Sequence, residues 1–192
     1  WEEGHWLHMT GHRIEPFKDK SGNPELSSIT TIMGRHKLNA RLYRWSVNLT
    51  TGDTREGKLD DQWNAEFPTW NNSKMGSPMK YAYCTHIVPE PLMHFAGLIK
   101  FDLETGSSEY YTEGDHFTYS ESPFAPADNA ASEDHGYLIS FVRNKQVDQS
   151  EVHIFDAQAL QKGPICKLIL PCRVPEGFHA TWARGDLLGL LA

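Results

Sequence analysis

The chain has 192 residues, 39% of them hydrophobic, and a formal net charge of -7. That is enough apolar material for one sizeable core, which excludes a disordered chain. With no cluster of Lys or Arg, the acidic balance excludes a surface built for nucleic acid. Cys84, Cys166 and Cys172 are an odd number of cysteines with no CxxC pair, so free thiols in a reducing compartment are expected. No run approaches the roughly 18 apolar residues of a membrane span, and no signal peptide opens the chain. The expected location is cytoplasmic. The opening "WEEGHWLHM" begins at Trp1 without a polar leader, as the middle of a longer protein would.

In chain order, "HWLHMTGH" spaces His5, His8 and His12 as H-x2-H-x3-H. On a helix the three would share a face and could bind zinc, as in a zinc-dependent hydrolase. Gly4 and Gly11 and the lack of a cap favour a strand, on which His5 and His8 point to opposite faces. Short alternating runs follow: "RLYRWSVNL", "TREGKL", "KYAYCTHIV", "GLIKFDL", "SSEYYTE", "GYLISFV", "EVHIFDA" and "GPICKLILP". Separated by Pro, Gly, Asn and Asp, they read as antiparallel strands. "DAQALQK" alone looks helical, for about two turns. "PEPLMHFAGL", residues 89–98, reads as an apolar connection between strands, of a kind that could also meet an entrance or a membrane surface. The sequons at Asn48 and Asn71 are expected to be chance matches.

Three of the runs superpose at a fixed interval. "YRWSVNLTTG", "GLIKFDLETG" and "EVHIFDAQAL" place Asn48, Asp102 and Asp156 at successive intervals of 54 residues. A period near 50 built from short hairpins points to β-propeller blades, each of which buries both faces only when neighbours stack on it. The expected fold is therefore all-β, with three to four blades in this chain. Glu66 in "AEFPTW" and Glu121 in "SESPFAP" are 55 residues apart, each two residues before a proline, and His179 in "GFHATW" follows 58 residues later. In a propeller the innermost strands face one axis, where such positions converge. A neutral imidazole there can bind a transition metal while a carboxylate holds its other ring N–H. The plainer alternatives are a packed core histidine and two surface carboxylates.

The stretches "AEFPTWNNSKMGSPMKYAY", "SESPFAPADNAASEDHGYLISFV" and "LPCRVPEGFHATW" resemble successive C-terminal motifs of the carotenoid cleavage oxygenases, especially the lignostilbene dioxygenase branch. "WEEG" is similar to the end of that family's H-x-x-N-A-[WF]-E-x-G segment. The resemblance implies a seven-bladed β-propeller holding a non-haem Fe2+ by four histidines, three of them oriented by glutamates. His179 matches the last ligand, and Glu66 and Glu121 match two of the glutamates. The other ligands would lie upstream of Trp1, making residues 1–192 the C-terminal portion of a single propeller whose N-terminal blades are missing. Alone, the fragment is expected to be inactive.

The activity implied is O2-dependent cleavage of an interior C=C of a conjugated stilbenoid or carotenoid/apocarotenoid, giving two aldehydes, with the motifs leaning toward stilbenoids. Phe67, Trp70, Phe124 and Phe178 would line an apolar tunnel or pack in the core. His135 and Glu176 depart from the family pattern without touching the ligand assignment, and His135 is expected in a turn before a strand. Two other readings stay open at this point: zinc at His5, His8 and His12, and a non-catalytic propeller serving as a binding scaffold.

Overall fold

How many faces each strand buries follows from its residue pattern. "GYLISFV" alternates strictly, whereas "KYAYCTHIV" and "GLIKFDL" are apolar nearly throughout, so the first suits a sheet covered on one side and the others a sheet covered on both. The computed structural model describes residues 1–16, 21, 38–89, 93–177, 179–186 and 188–189. Among them are three antiparallel sheets in chain order and no α-helix. The first sheet contains β1 (Glu2–Glu3), β2 (Trp6–Ile14), β3 (Ala40–Asn48) and β4 (Thr54–Lys58). The second contains β5 (Ala65–Thr69), β6 (Tyr81–Val88), β7 (His94–Asp102) and β8 (Ser108–Tyr111). In the third, β10 (Phe124–Pro126), β11 (Gly136–Asn144), β12 (Gln149–Asp156) and β13 (Pro164–Ile169) follow one another, and β9 (Phe117–Tyr119) also pairs with β11. Each sheet is an up-and-down propeller blade.

The 54-residue period has a local cause. Asn48, Asp102 and Asp156 each end the third strand of the blade path. The Asn48 side-chain oxygen accepts from the backbone N–H of Thr50 and Thr51 at 2.9 and 3.0 Å, and Asp102 accepts from Glu104 and Thr105, both at 3.0 Å. Asp156 accepts from Gln158 at 2.9 Å. The same short polar side chain thus folds the chain back at the same place in each blade. In the first two hairpins a glycine completes the turn with positive φ, Gly52 at 76° and Gly106 at 73°.

The third turn corrects the helical reading of "DAQALQK". Only Leu160–Lys162 form a 3-10 turn. Asp156 ties down Gln158, Ala157 and Leu160 are drawn into the core, and Gly163 at φ 83° leads into β13, which leaves no length for two turns. The connection expected over residues 89–98 is also shorter. His94 onward belongs to β7, while residues 90–92 lie outside the described set. His135 does precede β11, its ring accepting from Ala131 N–H at 3.1 Å.

The middle sheet is packed on both sides. Tyr83 and Leu98 meet Tyr119, Phe124, Leu138, Val142 and Phe155 of the third sheet and the strands leading into it. On the opposite face, Cys84, Ile99 and Phe101 pack with Leu42 of the first sheet. Each such apolar side chain contributes about 1.5–3 kcal/mol by leaving water. One ion pair is buried between the second and third blades: Lys100 Nζ lies 2.9 Å from Asp134 and 4.3 Å from the centre of the Tyr81 ring. All three cysteines are free. Asn71 is 5% exposed, accepts from Ser73 N–H and donates to the Glu133 carbonyl, so its sequon is closed to a glycan.

Candidate metal centre

The first strands of the second and third sheets set the geometry. Glu66 lies in β5, opposite Thr85 of β6. One residue later the ladder breaks: the pairing shifts register between Glu66 and Thr69, and Phe67 adopts a positive φ of 55°. For an aromatic residue before a proline this backbone is strained, since both the Cβ and the following ring disfavour it. The bulge lets the Phe67 N–H donate to Glu66 Oε2 at 3.0 Å. Burial pushes the Glu66 carboxyl above its ordinary pKa, and the bond from Phe67 opposes the shift.

Glu121 lies between β9 and β10 and is fixed from both sides. Thr85, opposite Glu66, donates to the Ser120 carbonyl at 3.2 Å, and Thr69 donates to the Ser122 carbonyl at 2.8 Å. The residues flanking Glu121 are therefore stitched to the strand pair that carries Glu66. Its Oε2 accepts from Ala180 N–H at 2.8 Å and lies 3.4 Å from His179 Nδ1. Facing the carboxylate with Nδ1 leaves the opposite nitrogen, Nε2, on a side chain that is 85% exposed. The Phe67 ring stands edge-on to this imidazole, centroids 5.7 Å apart and planes at 87°, and Phe95 backs Phe67 at 5.3 Å. The structure thus brings Glu121, His179 and Phe67 together, with Glu66 beside Phe67.

A histidine whose Nδ1 faces a carboxylate and whose Nε2 is open fits one ligand position of a divalent transition metal. It supplies one donor only: among the described residues, no group of three or more His, Cys, Asp or Glu could hold a metal ion. This also overturns the zinc site read into His5, His8 and His12. His5 lies in the turn before β2, whereas His8 and His12 lie within it. Four residues of strand separate His8 and His12 by about 13 Å, too far for one ion. His8 instead contacts Ser46 Oγ at 2.8 Å and stacks on Trp1, while His12 is half-buried with Nε2 3.7 Å from Cys84 Sγ.

Among the other aromatics singled out, Trp70 and Phe124 border a 160 Å³ cavity with Glu121, Ala180 and Trp182. Phe124 is 4% exposed and stacked on Tyr83, so most of its surface is core. Phe178 lies outside the described residues. Sequence reasoning missed the stitching roles of Thr69 and Thr85, which carry no motif, and the bulge at Phe67. The proline that follows Phe67 was the available signal for the bulge.

Comparison with known proteins agrees with the blades and motifs. The retinal pigment epithelial membrane protein (RPE65) family profile matches residues 1–184. A carotenoid 9,10(9',10')-cleavage dioxygenase of Pisum sativum is 30% identical over 98% of this chain and 36% of its own length. Lignostilbene-alpha,beta-dioxygenase isozyme III of Sphingomonas paucimobilis is 29% identical over 79% of this chain and 33% of its own. The chain thus spans about a third of the length of these curated relatives. Among solved structures, cobalt-substituted Synechocystis apocarotenoid oxygenase superposes with a TM-score of 0.78 at 21% identity, covering 96% of this chain and 38% of that one. Pseudomonas brassicacearum lignostilbene dioxygenase gives 0.77 at 23%, covering 96% and 40%. At these identities the structural likeness speaks for the fold.

Proposed function

This chain belongs to the RPE65 family of carotenoid cleavage oxygenases, and from that membership we propose that it is the C-terminal part of a non-haem Fe2+ dioxygenase that splits an interior C=C of a conjugated substrate. Its described sheets are three blades of the propeller, and His179 is the ligand this chain contributes. The remaining ligands and blades belong to residues outside it. The observation that carries the proposal is the Glu121 carboxylate facing His179 Nδ1 while Nε2 stays open. The existence of a cobalt-substituted form of the Synechocystis oxygenase supports a metal on this fold.

Bound Fe2+ would supply the activation of O2, which no side chain can provide. The chain's own residues position and exclude. Glu121 faces Nδ1 of His179 at 3.4 Å and so turns Nε2 outward as the nitrogen for the metal. Glu66, on the neighbouring blade, is the matching carboxylate for a histidine outside this chain, and burial raises its pKa. Phe67 and Trp70 offer apolar walls to a flat conjugated molecule. Cleaving a C=C with one O2 into two carbonyl products needs no general acid or base, so no proton relay is assigned.

The test is metal analysis of the longer protein containing this chain, purified anaerobically, with O2-dependent cleavage of a stilbenoid and of an apocarotenoid. Iron near one per protein and two aldehyde products are expected, and the better substrate separates the two classes named among the relatives. His179→Ala should remove the iron. Glu121→Gln should keep the fold and lower iron occupancy or turnover by roughly 10- to 100-fold. Normal iron and turnover in His179→Ala would sink the ligand assignment. A folded, metal-free and inactive parent would instead favour a binding scaffold.

A further inference from the structure

The left-handed backbone at Phe67 costs its own sheet a stretch of ladder. It breaks the β5–β6 pairing just after Glu66, and it places a bulky residue preceding Pro68 where such residues are rarely found. A glycine would adopt φ 55° without strain. Strain of this kind persists where surrounding structure enforces it, and it gathers at functional sites. What the bulge achieves is visible in the contacts. The Phe67 ring leaves the ladder and stands edge-on to the His179 imidazole at 5.7 Å and 87°, with Phe95 packed behind it at 5.3 Å and 71°.

We propose that Phe67 is a positioning residue of the metal centre, its strained backbone serving to hold the plane of the His179 ring. The idea rests on reading His179 as a ligand. Two constraints are needed to aim Nε2 at a fixed point. The 3.4 Å contact between Glu121 Oε2 and Nδ1 selects which nitrogen is left open, but a single carboxylate contact leaves the ring free to swing about it. An aromatic ring at right angles restricts that freedom on one side, because edge-to-face geometry is preferred and tilting the imidazole toward Phe67 would lose it. Phe95 keeps Phe67 from yielding. Thr69, at the end of the bulge, donates to the Ser122 carbonyl at 2.8 Å and so ties the bulge to the segment that carries Glu121. The two constraints therefore keep one register across two blades.

Four variants of the longer protein that contains this chain test the proposal: Phe67→Leu, Phe67→Gly, Phe67→Tyr and His179→Ala. Each is loaded with Fe2+ or Co2+, and the readouts are metal affinity by chelator competition, the visible spectrum of the Co2+ form, and thermal melting. Phe67→Leu keeps apolar bulk and strain but loses the ring. Phe67→Gly loses the ring and relieves the strain, which protects the fold. Both are expected to bind metal roughly 10-fold more weakly, in the range of residues that orient ligands, and to alter the Co2+ bands. Phe67→Tyr should restore both.

Wild-type affinity and an unchanged Co2+ spectrum in Phe67→Gly would overturn the positioning role while leaving His179 as a ligand, provided His179→Ala loses the metal. Metal loss in Phe67→Leu that only tracks a lower melting temperature, with Phe67→Gly normal, would overturn it as well. Undiminished metal in His179→Ala would overturn the underlying reading and the proposal with it.

Discussion

His12 shows how a histidine can satisfy a motif and still serve the core. It sits in β2 against Cys84 of the next blade, and burial pulls its pKa from 6.5 down to about 4. Between those values the unfolded chain takes up a proton that the folded chain refuses, so stability is present above pH 6.5 and is lost as the pH falls toward 4. A shift of this size corresponds to roughly 3 kcal/mol. His12→Gln should therefore change stability differently at pH 7 and pH 4.5: urea unfolding at the two values should show the variant losing less on acidification than the wild type. Equal losses in both proteins would mean His12 is not the titrating group. His179 is the opposite case, largely exposed and held by a single carboxylate, and its meaning comes from what surrounds it.

At the scale of elements, the blades depend on close backbone approach as well as on apolar pattern. A Cβ placed on Gly97 in β7 would lie 2.3 Å from the Tyr111 carbonyl and 2.8 Å from the Tyr110 ring. Backbone would have to move, so Gly97→Ala is expected to cost about 1–3 kcal/mol or more, read as a lower melting temperature. Gly57→Ala is its control, because nothing lies within 4 Å of a Cβ there, and it should be close to neutral. The hairpins tell a related story. Because Asn48, Asp102 and Asp156 each anchor a turn with side-chain to backbone bonds, a turn-forming polar residue recurs at the period between strands of different sequence.

At the scale of the whole molecule, the middle sheet is covered on both faces but the outer sheets are not. On the first sheet Leu7 and Val47 pair across strands and, with Met9, remain exposed. On the third, Tyr137, Phe141 and Leu168 are exposed on a face that also carries Ile139 and Ile154. Apolar surface of this extent marks an interface. The 192-residue chain produced alone should therefore self-associate as its concentration rises, seen as an increasing sedimentation coefficient. A monomer at all concentrations would show that these faces do not need stacking neighbours.

Much of this protein was legible in one dimension. Alternation marked the strands because a side chain changes faces at every residue, and the interval between Asn48, Asp102 and Asp156 marked the blades because each turn needs the same local hydrogen bonds. Motif spacing singled out Glu66, Glu121 and His179 and the family they resemble. Tertiary structure alone decided the rest. The bulge at Phe67, the threonine stitches to Ser120 and Ser122, and the burial of His12 arise from contacts between residues far apart in the chain. Such contacts leave no periodic trace in sequence. "HWLHMTGH" displayed an H-x2-H-x3-H spacing suited to zinc, and the extended backbone of β2 held His8 and His12 too far apart to share an ion.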